Sequence, residues 1–134
     1  MIFVDTSAFL AIENNRDQHH RNALALRDAW LKSGEILITS DYILDESYTI
    51  IRFRAGHPIA VQFGEAIRNS RFIRMEFVTP DLIEKAWKIF KSYSDHVFSF
   101  TDCTSFALME HLRLKKAFSF DGHFREYGKF IVTP

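Results

Sequence analysis

Short apolar runs ending on a polar residue alternate along the chain with stretches whose apolar positions recur every three or four residues. That alternation predicts strands and helices in turn, the pattern of an α/β domain rather than of separate helical and sheet parts. Residues 1–5 read as a strand, with Thr6 or Ser7 capping a short helix through Leu10 and a longer helical stretch over residues 17–32. Residues 35–39 read as a second strand. Ser40 caps a helix that runs to Ala55, where Gly56 supplies a left-handed stop and Pro58 opens the next helix, lasting to about Ser70. A third strand falls within residues 72–78. Thr79-Pro80-Asp81 combines a cap, a first-turn proline and a favourable negative charge, so a helix follows to about Tyr93. Another helix starts near Ser99 and ends by Leu114, and residues 117–120 and 130–132 supply two last short strands.

Four of these apolar stretches carry a carboxylate at or beyond their ends: Asp5, Glu46, Asp102 and Asp121. In open α/β sheets the ligand crevice lies beyond the carboxyl ends of the strands, so acids placed there converge on one hole. Each has a plainer reading as well. Asp5 is a cap candidate, although Thr6 and Ser7 stand beside it for that work. Glu46 lies in a helix among Ile43, Leu44, Ile50 and Ile51 with no cation three or four residues away, while Asp45 points about 100° round the helix and reads as the solvated acid. Ser99-Phe100-Thr101-Asp102 fits a capping box, and Asp121 before Gly122 fits a turn. Capping and metal binding are compatible, because a carboxylate has two oxygens and about four lone-pair sites. Taken together, the set suits Mg²⁺ or Mn²⁺, hard cations that prefer oxygen ligands. Without one, so many acids in one pocket would repel and take up protons.

Length and composition narrow the setting. A chain of 134 residues fits one domain, 1–134, and 47 % hydrophobic with 25 % charged residues is ordinary for a folded soluble chain, though 14 Phe make it aromatic. The longest apolar runs are four or five residues, far below the roughly 18 needed to cross a bilayer, so no membrane is expected. A strand beginning at residue 2 leaves no room for a leader, and the single Cys103 cannot form an intrachain disulfide; both agree with a cytoplasmic address. Net charge is zero, but Arg52, Arg54, Arg68, Arg71 and Arg74 face one acid, Glu65, across residues 51–75. Two readings of these arginines stay open, solvated helix faces and an RNA-contacting patch.

Val4-Asp5-Thr6-Ser7, Glu46 early in its helix, Ser99-Phe100-Thr101-Asp102 and Phe120-Asp121-Gly122-His123-Phe124 resemble, in order and spacing, the PIN domain, particularly the small VapC-type toxins. The resemblance covers nearly the whole chain. It implies a mainly parallel five-stranded sheet of order 3-2-1-4-5 flanked by helices, and a Mg²⁺- or Mn²⁺-dependent endoribonuclease. The family's four acidic positions map onto Asp5, Glu46, Asp102 and Asp121 as catalytic and metal-binding residues. The hydroxyl beside its first acid maps onto Thr6 or Ser7, and Ser99 joins them as site support. An RNA substrate, a cognate antitoxin and a homodimer are implied as partners. Cys103 stands where alanine is usual, and the chain is neutral where many relatives are basic.

The remaining candidates read as structural. Cys103 in an apolar helix is a buried small residue before it is a nucleophile. His123 reads as a surface turn histidine before one that approaches RNA or the metal's outer shell, His19-His20 lacks a third ligand, Phe98, Phe100, Phe118 and Phe120 read as core, Phe124 as an anchor for its turn, and Asp95 as a solvated loop acid before a member of the acidic rim. The rival class is a non-catalytic module of the same fold that binds RNA or protein, for which clustered negative charge has no use; a housekeeping RNA-processing nuclease is the rival within the enzyme class. Other phosphoryl-transfer folds fit less well: Ser7 stands where a haloacid-dehalogenase-type phosphatase needs its second aspartate, the first strand lacks the acidic pair of a receiver domain, and the five glycines are scattered.

Overall fold

A computed structural model describes residues 1–134. Five strands, β1 (Ile2–Val4), β2 (Leu37–Ser40), β3 (Ile73–Glu76), β4 (Lys116–Phe118) and β5 (Ile131–Thr133), form one sheet of order β3-β2-β1-β4-β5 with every neighbouring pair parallel. Parallel strands need covered faces, which is why the central β1 and β2 are buried at every position while the edge strands β3 and β5 are partly exposed. Seven helices supply the cover: α1 (Thr6–Glu13), α2 (His20–Lys32), α3 (Asp41–Ala55), α4 (His57–Asn69), α5 (Pro80–Ser92), α6 (Phe100–His111) and α7 (His123–Tyr127). Phe3, Phe63, Phe106, Phe118 and Phe124 are among the largest fully buried side chains, so much of the aromatic composition is spent on the core. No helix is long and apolar enough to cross a membrane.

The chain lays down β1, β2 and β3 outward in one direction, then returns to place β4 and β5 on the other side of β1. The order therefore reverses between β1 and β4, and the crevice beyond their carboxyl ends is where this architecture makes room for a ligand. Asp5 follows β1 and Ser119 follows β4. The two strand exits lie side by side, with Asp5 N–H donating to the Phe118 carbonyl at 3.0 Å.

Several boundaries differ from the sequence expectation. Asp5 itself caps α1, accepting from Ser7 N–H, so neither Thr6 nor Ser7 does that work. The same helix runs past Leu10 to Glu13 because Ala11 and Ile12 continue its buried face. Asp17 does not begin α2; its Oδ1 accepts from His19 N–H at 2.8 Å and turns the chain into His20. Phe120 lies outside β4, because the chain turns at Ser119, and the short α7 stands where the sequence predicted only a turn.

Candidate active site

Asp5, Glu46, Asp102 and Asp121 line one cavity of about 290 Å³, together with Thr6, Ser7, Ser99 and His123. Each acid comes from a different part of the fold: the end of β1, the second turn of α3, the first turn of α6 and the turn after β4. Ser40 starts α3 by accepting from Ile43 N–H, and Ile43, Leu44, Ser47 and Ile51 bury one side of that helix, which sets Glu46 on the flank facing the cavity. Asp102 belongs to the expected capping box. Ser99 Oγ accepts from Asp102 N–H at 2.9 Å and Asp102 Oδ2 accepts from Ser99 N–H at 3.0 Å.

Hydrogen bonds hold one oxygen of each buried aspartate and leave the other free. Asp5 is 4 % exposed, and its Oδ2 accepts from Ser7 Oγ at 2.7 Å, Ser119 Oγ at 2.9 Å and Ser7 N–H at 3.3 Å. Asp102 Oδ2 also bonds His123 Nδ1 at 2.8 Å; with the carboxylate ionised, that nitrogen must carry the proton. The Oδ1 atoms of both aspartates have no hydrogen-bond partner in the protein. Ser119, absent from the residues that the sequence singles out, ties the two sides together: its hydroxyl donates to Asp5 and accepts from Asp121 N–H at 3.1 Å. Its signal is faint, a single serine between two phenylalanines. Ser7 Oγ in turn accepts from Phe120 N–H at 2.9 Å, locking the exit of β1 to the turn after β4.

Of the two readings of His123, the surface turn residue gives way to the one that brings it to the site. It is half-buried, lies 2.8 Å from Asp102 and 3.4 Å from Asp121, and with these two offers three ligand atoms within 4.8 Å of one another. The turn aims it there, since Asp121 Oδ1 accepts from His123 N–H at 3.0 Å and Gly122 precedes the start of α7. By contrast Cys103 is buried, with its thiol pushed up to about 11 by burial and then by the Asp102 charge, which removes it as a nucleophile near neutral pH. Asp95 is exposed and pairs with His96, His19 stacks on Phe120, and His20 bonds the Ala11 carbonyl.

The electrostatics are those of a site short of positive charge. Burial is the largest cause that pushes Asp5 up to about 6, with the Asp102 charge adding to it, against the opposing bonds from Ser7 and Ser119. Burial likewise raises Asp102, more than the Ser99 backbone bond and His123 lower it. At His123, burial disfavours the charged ring, but the Asp102 bond and the charges of Asp121, Asp102 and Glu126 together outweigh it and raise its pKa. All the acids offer oxygen, and buried Thr6 Oγ1 in the same cavity has no partner. An oxygen-rich pocket that takes up protons in place of a cation fits a hard divalent ion.

The arginines divide. Arg52, Arg54, Arg68 and Arg71 are all exposed, but Arg52 and Arg68 line a second cavity between α3 and α4, whereas Arg54 at the end of α3 and Arg71 before β3 line neither cavity.

A family model described as the PIN domain matches residues 2–130. Over its full length the chain is similar to the 23S rRNA-specific endonuclease VapC20 of Mycobacterium tuberculosis, strains CDC 1551 / Oshkosh and H37Rv, at 40 % identity over 134 residues, 100 % of this chain and 99 % of the relative. The crystal structure of Mycobacterium tuberculosis VapC20, a sarcin–ricin loop cleaving toxin, aligns with a TM-score of 0.90 and 38 % identity, covering 100 % of both chains. VapBC2 from Rickettsia felis, bound to a promoter DNA fragment, aligns with a TM-score of 0.71 at 10 % identity over 99 % and 98 % of the two chains, a likeness of fold alone.

Proposed function

The chain belongs to the PIN-domain family, and from that premise we propose that it is a Mg²⁺- or Mn²⁺-dependent endoribonuclease of the VapC toxin type whose substrate is the sarcin–ricin loop of 23S rRNA. The observation that carries the reading is the convergence of Asp5, Glu46, Asp102 and Asp121 on one cavity. The choice of RNA is supported by the full-length similarity to an enzyme specific for 23S rRNA.

Asp5, Glu46, Asp102 and Asp121 would hold the cation. When bound, it would polarise the phosphodiester and favour ionisation of the attacking water. The chain's own residues do the positioning. Ser7 and Ser119 fix the Asp5 carboxylate plane, while Ser99 and His123 fix that of Asp102. Thr6 lines the same cavity, its buried Oγ1 without a hydrogen-bond partner.

An antitoxin partner is supported by an apolar groove of about 160 Å³ lined by Phe9, Ile12, Leu37, Phe63, Ile67 and Ile73, suited to an apolar segment of a second protein. Pairing of two copies is supported by Trp87 and Phe90, stacked and exposed on α5, and by exposed Phe77. The testing experiment is incubation of the purified chain with total RNA and with a sarcin–ricin hairpin, in Mg²⁺, in Mn²⁺ and in a chelator. A metal-dependent cut within the loop is the expected result. No cleavage with either metal, or equal cleavage in the chelator, would refute the proposal.

A further inference from the structure

Resting on the nuclease reading, we propose that the cavity between α3 and α4 is a phosphate subsite that grips the RNA backbone on the far side of α3 from the scissile bond. This cavity, about 460 Å³, is lined by Tyr48 and Arg52 from α3 and by His57, Gly64, Glu65 and Arg68 from α4. Helix α3 is the wall shared with the acidic cavity. Glu46 and Ile50 face the acids, whereas Tyr48 and Arg52, turned about 200° to 240° from Glu46, face the second cavity. Arg52 lies about 9 Å further along the helix axis than Glu46.

The cavity is assembled rather than incidental. Arg68 Nη1 donates to Tyr48 Oη at 3.2 Å and to the Gly64 carbonyl at 3.3 Å, with its guanidinium carbon 5.8 Å from the Tyr48 ring centroid. Gly64 is what permits this. A Cβ there would stand 3.1 Å from Arg68 Nη1 and 3.2 Å from Tyr48 Cε1, so a residue that weakens a helix interior is placed where its lack of a side chain admits the contact. The held guanidinium keeps Nε and Nη2 free, and a rigid fork of that kind matches a phosphate. Helix packing alone would account for Arg68 against Tyr48. Arg52, exposed on the same cavity, makes no side-chain hydrogen bond and no ion pair, and exposed Glu65 pairs with neither arginine, so both guanidinium charges are left for a ligand.

An RNA backbone is the occupant because of charge. The catalytic cavity is itself acidic and repels the phosphates flanking the bond to be cut, and the chain as a whole is neutral. Affinity for a polyanion must come from local cations, and two arginines without acidic partners, one helix away from the acids, supply them.

The test is steady-state cleavage of a sarcin–ricin hairpin by the wild-type chain and by Arg52→Gln, Arg52→Gln/Arg68→Gln and Arg52→Lys/Arg68→Lys, over a range of salt. For the double Gln variant, KM should rise roughly tenfold with kcat within about twofold, and the plot of log(kcat/KM) against log salt should flatten by about 0.7 for each phosphate no longer neutralised. The Lys variant should keep the salt slope. Arg52 makes no side-chain hydrogen bond or ion pair within the protein, so Arg52→Gln gives the single-phosphate change even if the double variant folds poorly. Cleavage with wild-type KM and slope in both Gln variants would overturn the subsite and leave the nuclease intact. Absence of any cleavage by wild type would instead remove the nuclease reading and the subsite with it. Weakened binding to a protein partner at an unchanged RNA salt slope would also overturn the proposal, in favour of a protein interface.

Discussion

Asp5 bears the conflict that the site is built around, a carboxylate buried beside other acids and held by two serines. Its pKa of about 6, against an ordinary value of 3.8, means that the folded metal-free chain binds a proton there more tightly than the unfolded chain does. The charge therefore costs nothing below pH 4, and stability falls as pH rises through 4 to 6, by on the order of 3 kcal/mol for Asp5 alone. Asp5→Asn removes that cost. Thermal melts in a chelator should show the variant several degrees more stable than wild type at pH 8 and nearly equal to it at pH 4, with cleavage reduced by orders of magnitude. A variant less stable than wild type at pH 8 would assign Asp5 to capping alone. Ser119 supplies a second check. Removing the hydroxyl in Ser119→Ala takes away one of the three hydrogen bonds on Asp5 Oδ2, leaving those from Ser7, and orphans Asp121 N–H, so the Mg²⁺ concentration needed for half-maximal cleavage should rise about 10- to 100-fold. An unchanged Mg²⁺ requirement would show that Ser119 does not position the acids.

At the scale of elements, α6 shows how a cap and a ligand share one residue. Asp102 Oδ2 accepts from Ser99 N–H and bonds His123 while Asp102 N–H donates to Ser99 Oγ, so Ser99→Ala, which removes that last bond, should cost about 1 kcal/mol in denaturant unfolding and also weaken Mg²⁺ activation. A stability loss with no change in Mg²⁺ activation would separate the two roles. Much of this is legible in the residues: apolar runs ending in acids, Ser40 and Thr79 as caps, and Gly56, at φ 98°, as the joint between α3 and α4. The illegible parts depend on residues distant in sequence or on elements too short to show a period. The five residues of α7 lie between Gly122 and Gly128, and His123 meets Asp102 because the turn after β4 comes back over α6. Nor does any pattern near Ser119 announce that its partner is Asp5, 114 residues away.

For the whole molecule, a parallel sheet with a reversal between β1 and β4 gathers acids from four segments, and a chain of zero net charge brings no surplus of cations to balance them. Expression of the wild-type chain alone should arrest growth of a bacterial host, and Asp5→Asn should relieve the arrest; harmless expression of an enzyme active in vitro would favour a housekeeping nuclease. The most direct measurement of the central claim is mapping of cut sites on intact ribosomal RNA by the purified wild type, Asp5→Asn and Asp102→Asn, with Mg²⁺ and with chelator. A shared acidic metal site predicts a cut in the sarcin–ricin loop that requires Mg²⁺ and falls by orders of magnitude in both folded variants. Undiminished cleavage by either variant, or cleavage that persists in chelator, would contradict it.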